Sequence, residues 1–153
     1  MNRTPNRLGF TLIEMLVVVG IIGVLSSVLL TALGPARDKA KDSRIIQQVN
    51  QVRALAETYY NGTYDQLQSI DPDMVGEIED PNLKALADDI ALQGGGLVIV
   101  KNAPVHSTAY IMWSRLNQTV GVEPDLQPQY YCLESGGKSA FVTEEPEGMT
   151  CSQ

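Results

Sequence analysis

Few side chains in this 153-residue chain stand where they could do chemistry, and the first is Glu14. It is the only charged residue between Phe10 and Leu33, and an ionised carboxylate inside a membrane-spanning helix costs about 2.5–3.5 kcal/mol on insertion scales. A group that costly calls for a counter-charge or a function. Just before the apolar run, Gly9 abuts Phe10 with no gradual transition. A cut between the two would expose a positive amine at Phe10, four positions before Glu14 on one helix face, and so would create the counter-charge. Two readings of Glu14 compete. In one it lies near a helix start at the membrane surface, favoured by the helix dipole and reached by water. In the other, the carboxylate of one subunit meets the amine of another and sets the register of helices stacked in an apolar core.

The other reactive residue types are sparse. Cys132 and Cys151 are the only cysteines, too few for a metal cluster. They read as a disulfide formed in an oxidising compartment, the alternative being two unpaired thiols. His106, the single histidine, has no neighbours with metal-ligand spacing and reads as a loop residue. Gly94 to Gly96 lacks the lysine and flanking pattern of a phosphate loop and reads as a flexible turn before a strand. Asp71, Asp73, Glu77, Glu79 and Asp80 could offer oxygens to calcium, but their spacing matches no cation loop, so they read as a solvated acidic loop. Asn61-Gly62-Thr63 and Asn117-Gln118-Thr119 have the form of glycosylation sequons. No catalytic constellation, metal site or cofactor motif is present, so the expectation is a protein that is not an enzyme and holds no cofactor.

The elements around these residues divide the chain. Residues 1–9 are polar and basic and read as a leader. Residues 10–33 are long enough and apolar enough to span a membrane as a helix; an ordinary secretory signal has a shorter apolar region and a small-residue cleavage site, for which Gly34, Pro35 and Ala36 are a weak match. Gly34-Pro35 should kink or briefly interrupt the helix. From 36 to 60 there is no proline or glycine, and Ile45, Val49, Val52, Ala56 and Tyr59 recur at helical spacing on one face, with Lys41, Asp42, Arg44, Gln47, Gln48, Gln51 and Arg53 as the polar remainder. Residues 10–60 would make a helix of roughly 75 Å, ended by the turn signal Asn61-Gly62.

Residues 61–153 form the expected head. Within it, 61–96 is a connecting loop with a short helix from about Asn82 to Leu92, and 97–153 holds four strands, at Leu97 to Lys101, Ala109 to Leu116, Gln129 to Glu134 and Lys138 to Thr143. Ser135-Gly136-Gly137 is a hairpin signal for the last pair. The fold class is therefore α+β: a long N-terminal helix, transmembrane in its first half and amphipathic in its second, packed on a small antiparallel sheet. The formal charge is −7, and residues 58–153 hold fourteen acidic against four basic residues. Such a surface repels phosphate backbones, and no nucleic-acid binding by the head is expected.

Gly9-Phe10-Thr11-Leu12-Ile13-Glu14 resembles the processing site of type IV pilins and pseudopilins. The short basic leader, the lone carboxylate, the glycine-proline break and Tyr59-Tyr60-Asn61-Gly62-Thr63-Tyr64 are similar to that family over the first 64 residues. The resemblance implies cleavage after Gly9 by a prepilin peptidase on the cytoplasmic side, N-methylation of Phe10, and a part for Glu14 in filament assembly. It implies self-association with other pilins, driven by a platform protein and an ATPase of a pilus or type II secretion machine. It also implies a single-pass precursor in the bacterial inner membrane, followed by a surface filament, or a periplasmic one for a pseudopilin. Cys132 and Cys151 fit the C-terminal disulfide common in such heads. Orientation rests on this resemblance, because Arg37, Lys39, Lys41 and Arg44 beyond the span outnumber Arg3 and Arg7 before it.

Overall fold

The computed structural model describes residues 9–71 and 78–151, apart from the Ala32 side chain. Helix α1 spans Leu12–Thr58 and helix α2 spans Pro81–Leu92. Four strands follow, β1 (Leu97–Lys101), β2 (Tyr110–Val120), β3 (Gln127–Glu134) and β4 (Ser139–Val142), paired antiparallel in the order β1-β2-β3-β4. The expected α+β architecture is thus present, a long N-terminal helix with a four-stranded antiparallel sheet. The chain divides into two compact units, Met1–Ala36 and Arg37–Gln153.

In the first unit, α1 is long and apolar enough to cross a membrane, and none of its most apolar stretch is buried. The helical assignment continues through Gly34 and Pro35, so the brief interruption expected there is absent. Pro35 does withhold one amide from the carbonyl of Thr31, which weakens the ladder locally without breaking it.

In the second unit α1 supplies the core. Ile45, Val49, Val52 and Ala56 are fully buried, Tyr59 partly so. Each fully buried valine or isoleucine contributes about 1.5–3 kcal/mol. They pack against the inner sheet face, which strand alternation builds from Leu97 and Ile99 of β1, Tyr110, Met112 and Leu116 of β2, and Tyr131 and Leu133 of β3. Helix α2 closes the side with Leu83, Ala87 and Ile90. Its start is fixed by Asp80, whose carboxylate accepts from the Leu83 amide at 2.8 Å, with Pro81 in the first turn. Asp80 also accepts from the Tyr59 hydroxyl. That bond holds the carboxyl of Asp80 below its usual range and pushes Tyr59 up to about 12.

The outer sheet face carries a second, smaller core of Val98, Ile111, Trp113, Cys132, Val142 and Cys151. Cys132 and Cys151 are joined, with their Cα atoms 5.6 Å apart. The bond ties the C-terminal segment down over Trp113, and the Cys151 amide donates to Glu134 at 2.7 Å. The disulfide therefore does what a second helix would do in a larger domain: it covers an apolar face.

Gly94 and Gly95 are better read as packing residues than as a flexible turn. A Cβ at Gly95 would lie 2.6 Å from Ser114 Oγ and 2.9 Å from Ile90, and Gly94 has φ +92° beside Asn117. Only glycine lets this turn come so close to β2.

Asp42 departs from expectation. Counted in sequence as part of the polar face of α1, it is only 2% exposed. Its carboxylate accepts from the backbone amides of Asn117 at 2.6 Å and Gln118 at 3.0 Å and from the Asn117 side chain at 2.8 Å. Three hydrogen bonds satisfy this buried carboxyl group and clamp β2 to α1. The same bond commits the Asn117 amide nitrogen, which also donates to the Gln93 carbonyl at 2.9 Å, so the second sequon offers no free acceptor in the folded chain. Asp42→Ala leaves the half-buried Asn117 amide and the Gln118 amide without their partner and should lower the unfolding free energy by about 1–3 kcal/mol. Denaturant unfolding of the detergent-solubilised chain, read from Trp113 fluorescence, checks this; a change under about 0.5 kcal/mol would show that the clamp is not structural.

Candidate functional site

The residues singled out by sequence, Gly9, Phe10 and Glu14, stand together at the start of α1. The helix begins at Leu12, not at Phe10, and Thr11 occupies the N-cap position. Glu14 Oε2 accepts from the Thr11 amide and from the Thr11 hydroxyl, both at 2.8 Å, while the Glu14 amide donates to Thr11 Oγ1 at 3.3 Å. This is a capping box: cap and third helical residue satisfy each other's orphan backbone donors. Thr11 was missed in the sequence, although Thr-x-x-Glu before an apolar run is the signal for that motif.

The capping box alters how the Glu14 charge is accommodated. A carboxylate at the first turn of a helix gains from the dipole, and here it also accepts two hydrogen bonds from its own chain. The second oxygen, Oε1, has no hydrogen bond among the described residues. The local solution thus satisfies the helix end and half of the carboxylate, and leaves one acceptor facing outward. Phe10, Leu12 and Ile13 beside it are 81%, 83% and 68% exposed, so the carboxylate sits in an apolar surface that none of the described residues covers. Gly9 and Phe10 precede the helix without regular secondary structure. A Cβ at Gly9 would meet nothing, so fold gives no reason for glycine at that position.

The remaining polar groups are mostly committed to structure. At the far end of α1, Glu57 accepts from the hydroxyls of Tyr64 and Tyr110, the latter at 2.9 Å. Burial and that bond raise the Tyr110 hydroxyl far above its usual range. Asp89 accepts from Arg44 at 2.9 and 2.6 Å and from Gln48, joining α2 to α1. The guanidinium holds the Asp89 carboxyl below its usual range.

A cavity of about 650 Å³ is lined by Asp65, Gln66, Glu79, Asp80 and Lys101, among others. Asp65 there already accepts from the Ser107 amide at 2.8 Å, and Asp80 is the cap of α2. Among the described residues no group of three or more histidine, cysteine or acidic side chains is placed to hold a metal ion. Asp73 and Glu77 of the acidic loop lie outside the described residues. His106 stands exposed in the loop before β2 with φ 57°.

The capping box makes a measurable claim. Thr11→Ala removes the hydroxyl donor to Glu14 Oε2 and the acceptor of the Glu14 amide, a loss of about 1 kcal/mol of end stability. Amide exchange at residues 12–14, measured in detergent micelles, should speed up about fivefold while exchange at residues 45–56 stays unchanged. Equal exchange in both chains would show that the helix start does not depend on this pair.

No curated protein and no solved structure matches the chain. Residues 4–30, which contain the whole of this site, match the family described as the prokaryotic N-terminal methylation motif, the prepilin-type motif of type IV pilins and pseudopilins.

Proposed function

We propose that this chain is a type IV pilin-like structural subunit: a membrane-anchored precursor cut after Gly9 by a prepilin peptidase, N-methylated at Phe10, and assembled into a helical surface filament. The observation that carries the reading is the methylation motif over residues 4–30, with Gly9, Phe10 and Glu14 at the places that matter. The uncovered apolar first unit supports it. A helix with no buried side chain there has to be covered by lipid or by copies of itself, and a filament core supplies the second after a bilayer has supplied the first.

Glu14 acts in two stages on this reading. In the precursor, its carboxylate is held by Thr11 at the helix end. After cleavage, the Phe10 amine of a neighbouring subunit meets the free Oε1 and fixes the stacking register, because an unpaired charge in an apolar seam is costly in every other register. Gly34 and Pro35 give the helix a place to bend during packing. Gly20 and Gly23 permit close helix approach. The platform protein and motor ATPase of the assembly machine are the external partners. The second unit, acidic and stapled by Cys132 and Cys151, forms the filament surface, serving adhesion, motility or DNA uptake. A pseudopilin of type II secretion would share every step up to the site of the finished filament.

Two variants separate processing from assembly. Gly9→Val should leave the precursor uncut, and Glu14→Ala should be cut normally yet fall at least tenfold in the sheared-filament fraction, both read by immunoblot of membrane and sheared fractions. Normal processing and normal incorporation of both variants would contradict the proposal.

A further inference from the structure

Three exposed apolar side chains of the second unit lie together at the turn between β2 and β3, while Tyr60, Leu92, Val100, Val105 and Phe141 are exposed elsewhere. Val120, Val122 and Leu126 are 44%, 82% and 43% exposed. Where that turn lies follows from hydrogen bonds already described. At the start of β2, Tyr110 donates to Glu57 at 2.9 Å; farther along, Asn117 meets Asp42. β2 therefore runs antiparallel to α1. The strand from Asn117 to Val120 continues about 10 Å in the same direction, and on α1 that direction leads from Asp42 to Arg37, about 7.5 Å.

The hairpin tip and the basic residues Arg37, Lys39 and Lys41 consequently share one end of the second unit. All three cations are exposed, and none has an ion pair or side-chain hydrogen bond among the described residues. Only four residue steps separate Leu33 from Arg37, a reach of at most about 14 Å. However the two units are disposed, this end of the second unit is tethered next to the end of the apolar segment.

We propose that this end is a lipid-contacting face. In the precursor, Val122, flanked by Val120 and Leu126, enters the interfacial layer of the bilayer, and Arg37, Lys39 and Lys41 meet lipid phosphates. Apolar side chains beside cations at headgroup level are the combination that binds a membrane surface. Glu123 and Asp125 flank Val122 and keep the contact shallow, since anionic headgroups repel them. The inference rests on the membrane-anchored reading and adds a step to it: the head is seated on the bilayer until extraction, so leaving the membrane releases the tip and the cations together with the helix.

The disulfide makes a direct test practical. With Cys132 and Cys151 joined and no free cysteine, Val122→Cys introduces a unique thiol for a fluorescent label. The full chain is reconstituted into vesicles of phosphatidylethanolamine and phosphatidylglycerol carrying lipids with a nitroxide near the headgroup. Lys138→Cys serves as reference, because the β3–β4 turn lies at the other end of the unit, where Ser135 donates to the Tyr110 carbonyl. Quenching at position 122 should exceed that at 138 at least threefold, and Lys39→Glu with Lys41→Glu should halve it.

Equal quenching at both positions, in chains that resist alkaline extraction, would overturn the lipid contact and leave the membrane-anchored reading standing. A label at 122 that is shielded only in assembled filaments would overturn it in favour of a neighbouring copy. Unchanged quenching in the charge-reversed chain would remove the part assigned to the phosphates. A chain released by alkali would overturn both readings at once.

Discussion

Uncovered apolar surface is the constraint on which the rest of this molecule depends. One helix carries two hydrophobic surfaces and the chain covers only one of them. The stripe of Ile45, Val49, Val52 and Ala56 is fully buried under the sheet, whereas none of the side chains of the most apolar stretch is buried among the described residues. Burial at about 25 cal/mol per Å² of apolar surface makes the second surface too costly to leave in water, so the helix needs an apolar partner outside its own fold.

Within that surface the only charged residue is Glu14, and its local geometry is economical. The Thr11–Glu14 capping box ties off the helix end and leaves one carboxylate oxygen available. The carboxylate is thus half satisfied within its own helix, and in the proposed filament its other oxygen is the one left for a neighbouring copy. At the other end of the chain the disulfide and the Asp42 clamp play a comparable part for the head: each replaces packing that a sheet with one helix on it cannot supply alone. The outer face is closed by a tethered segment, and the hairpin that overruns the helix stripe is held by three hydrogen bonds to a buried carboxylate.

Most of this architecture was legible in the sequence because it rests on periodicity. The stripe from Ile45 to Ala56, the helix before the three glycines and all four strands follow from spacing and turn residues. The errors have local causes. β2 runs on to Val120 and β3 starts at Gln127, beyond the predicted ends, because their pairing continues past a register shift between Arg115 and Thr119, through polar residues with no strand signature. Asp42 read as solvated because a buried carboxylate is recognisable only from its donors, Asn117 and Gln118, which lie far away in sequence. Gly34-Pro35 read as a kink or a brief interruption, and the second is absent because a helix can lose one amide donor and continue when the turns on either side are strong formers. At the start of α1, Glu14 stands out in the sequence by its charge, whereas Thr11 gains its meaning as a cap only once the helix is seen to begin at Leu12.

The central claim is that the apolar helix begins its working life at Phe10. Intact mass spectrometry of the protein from membrane and sheared-surface fractions of a native host tests it directly. The account predicts a chain starting at Phe10, heavier by one methyl group and present in the sheared fraction. A chain that keeps Met1 in every fraction would contradict it and return the protein to the class of simple membrane-anchored domains.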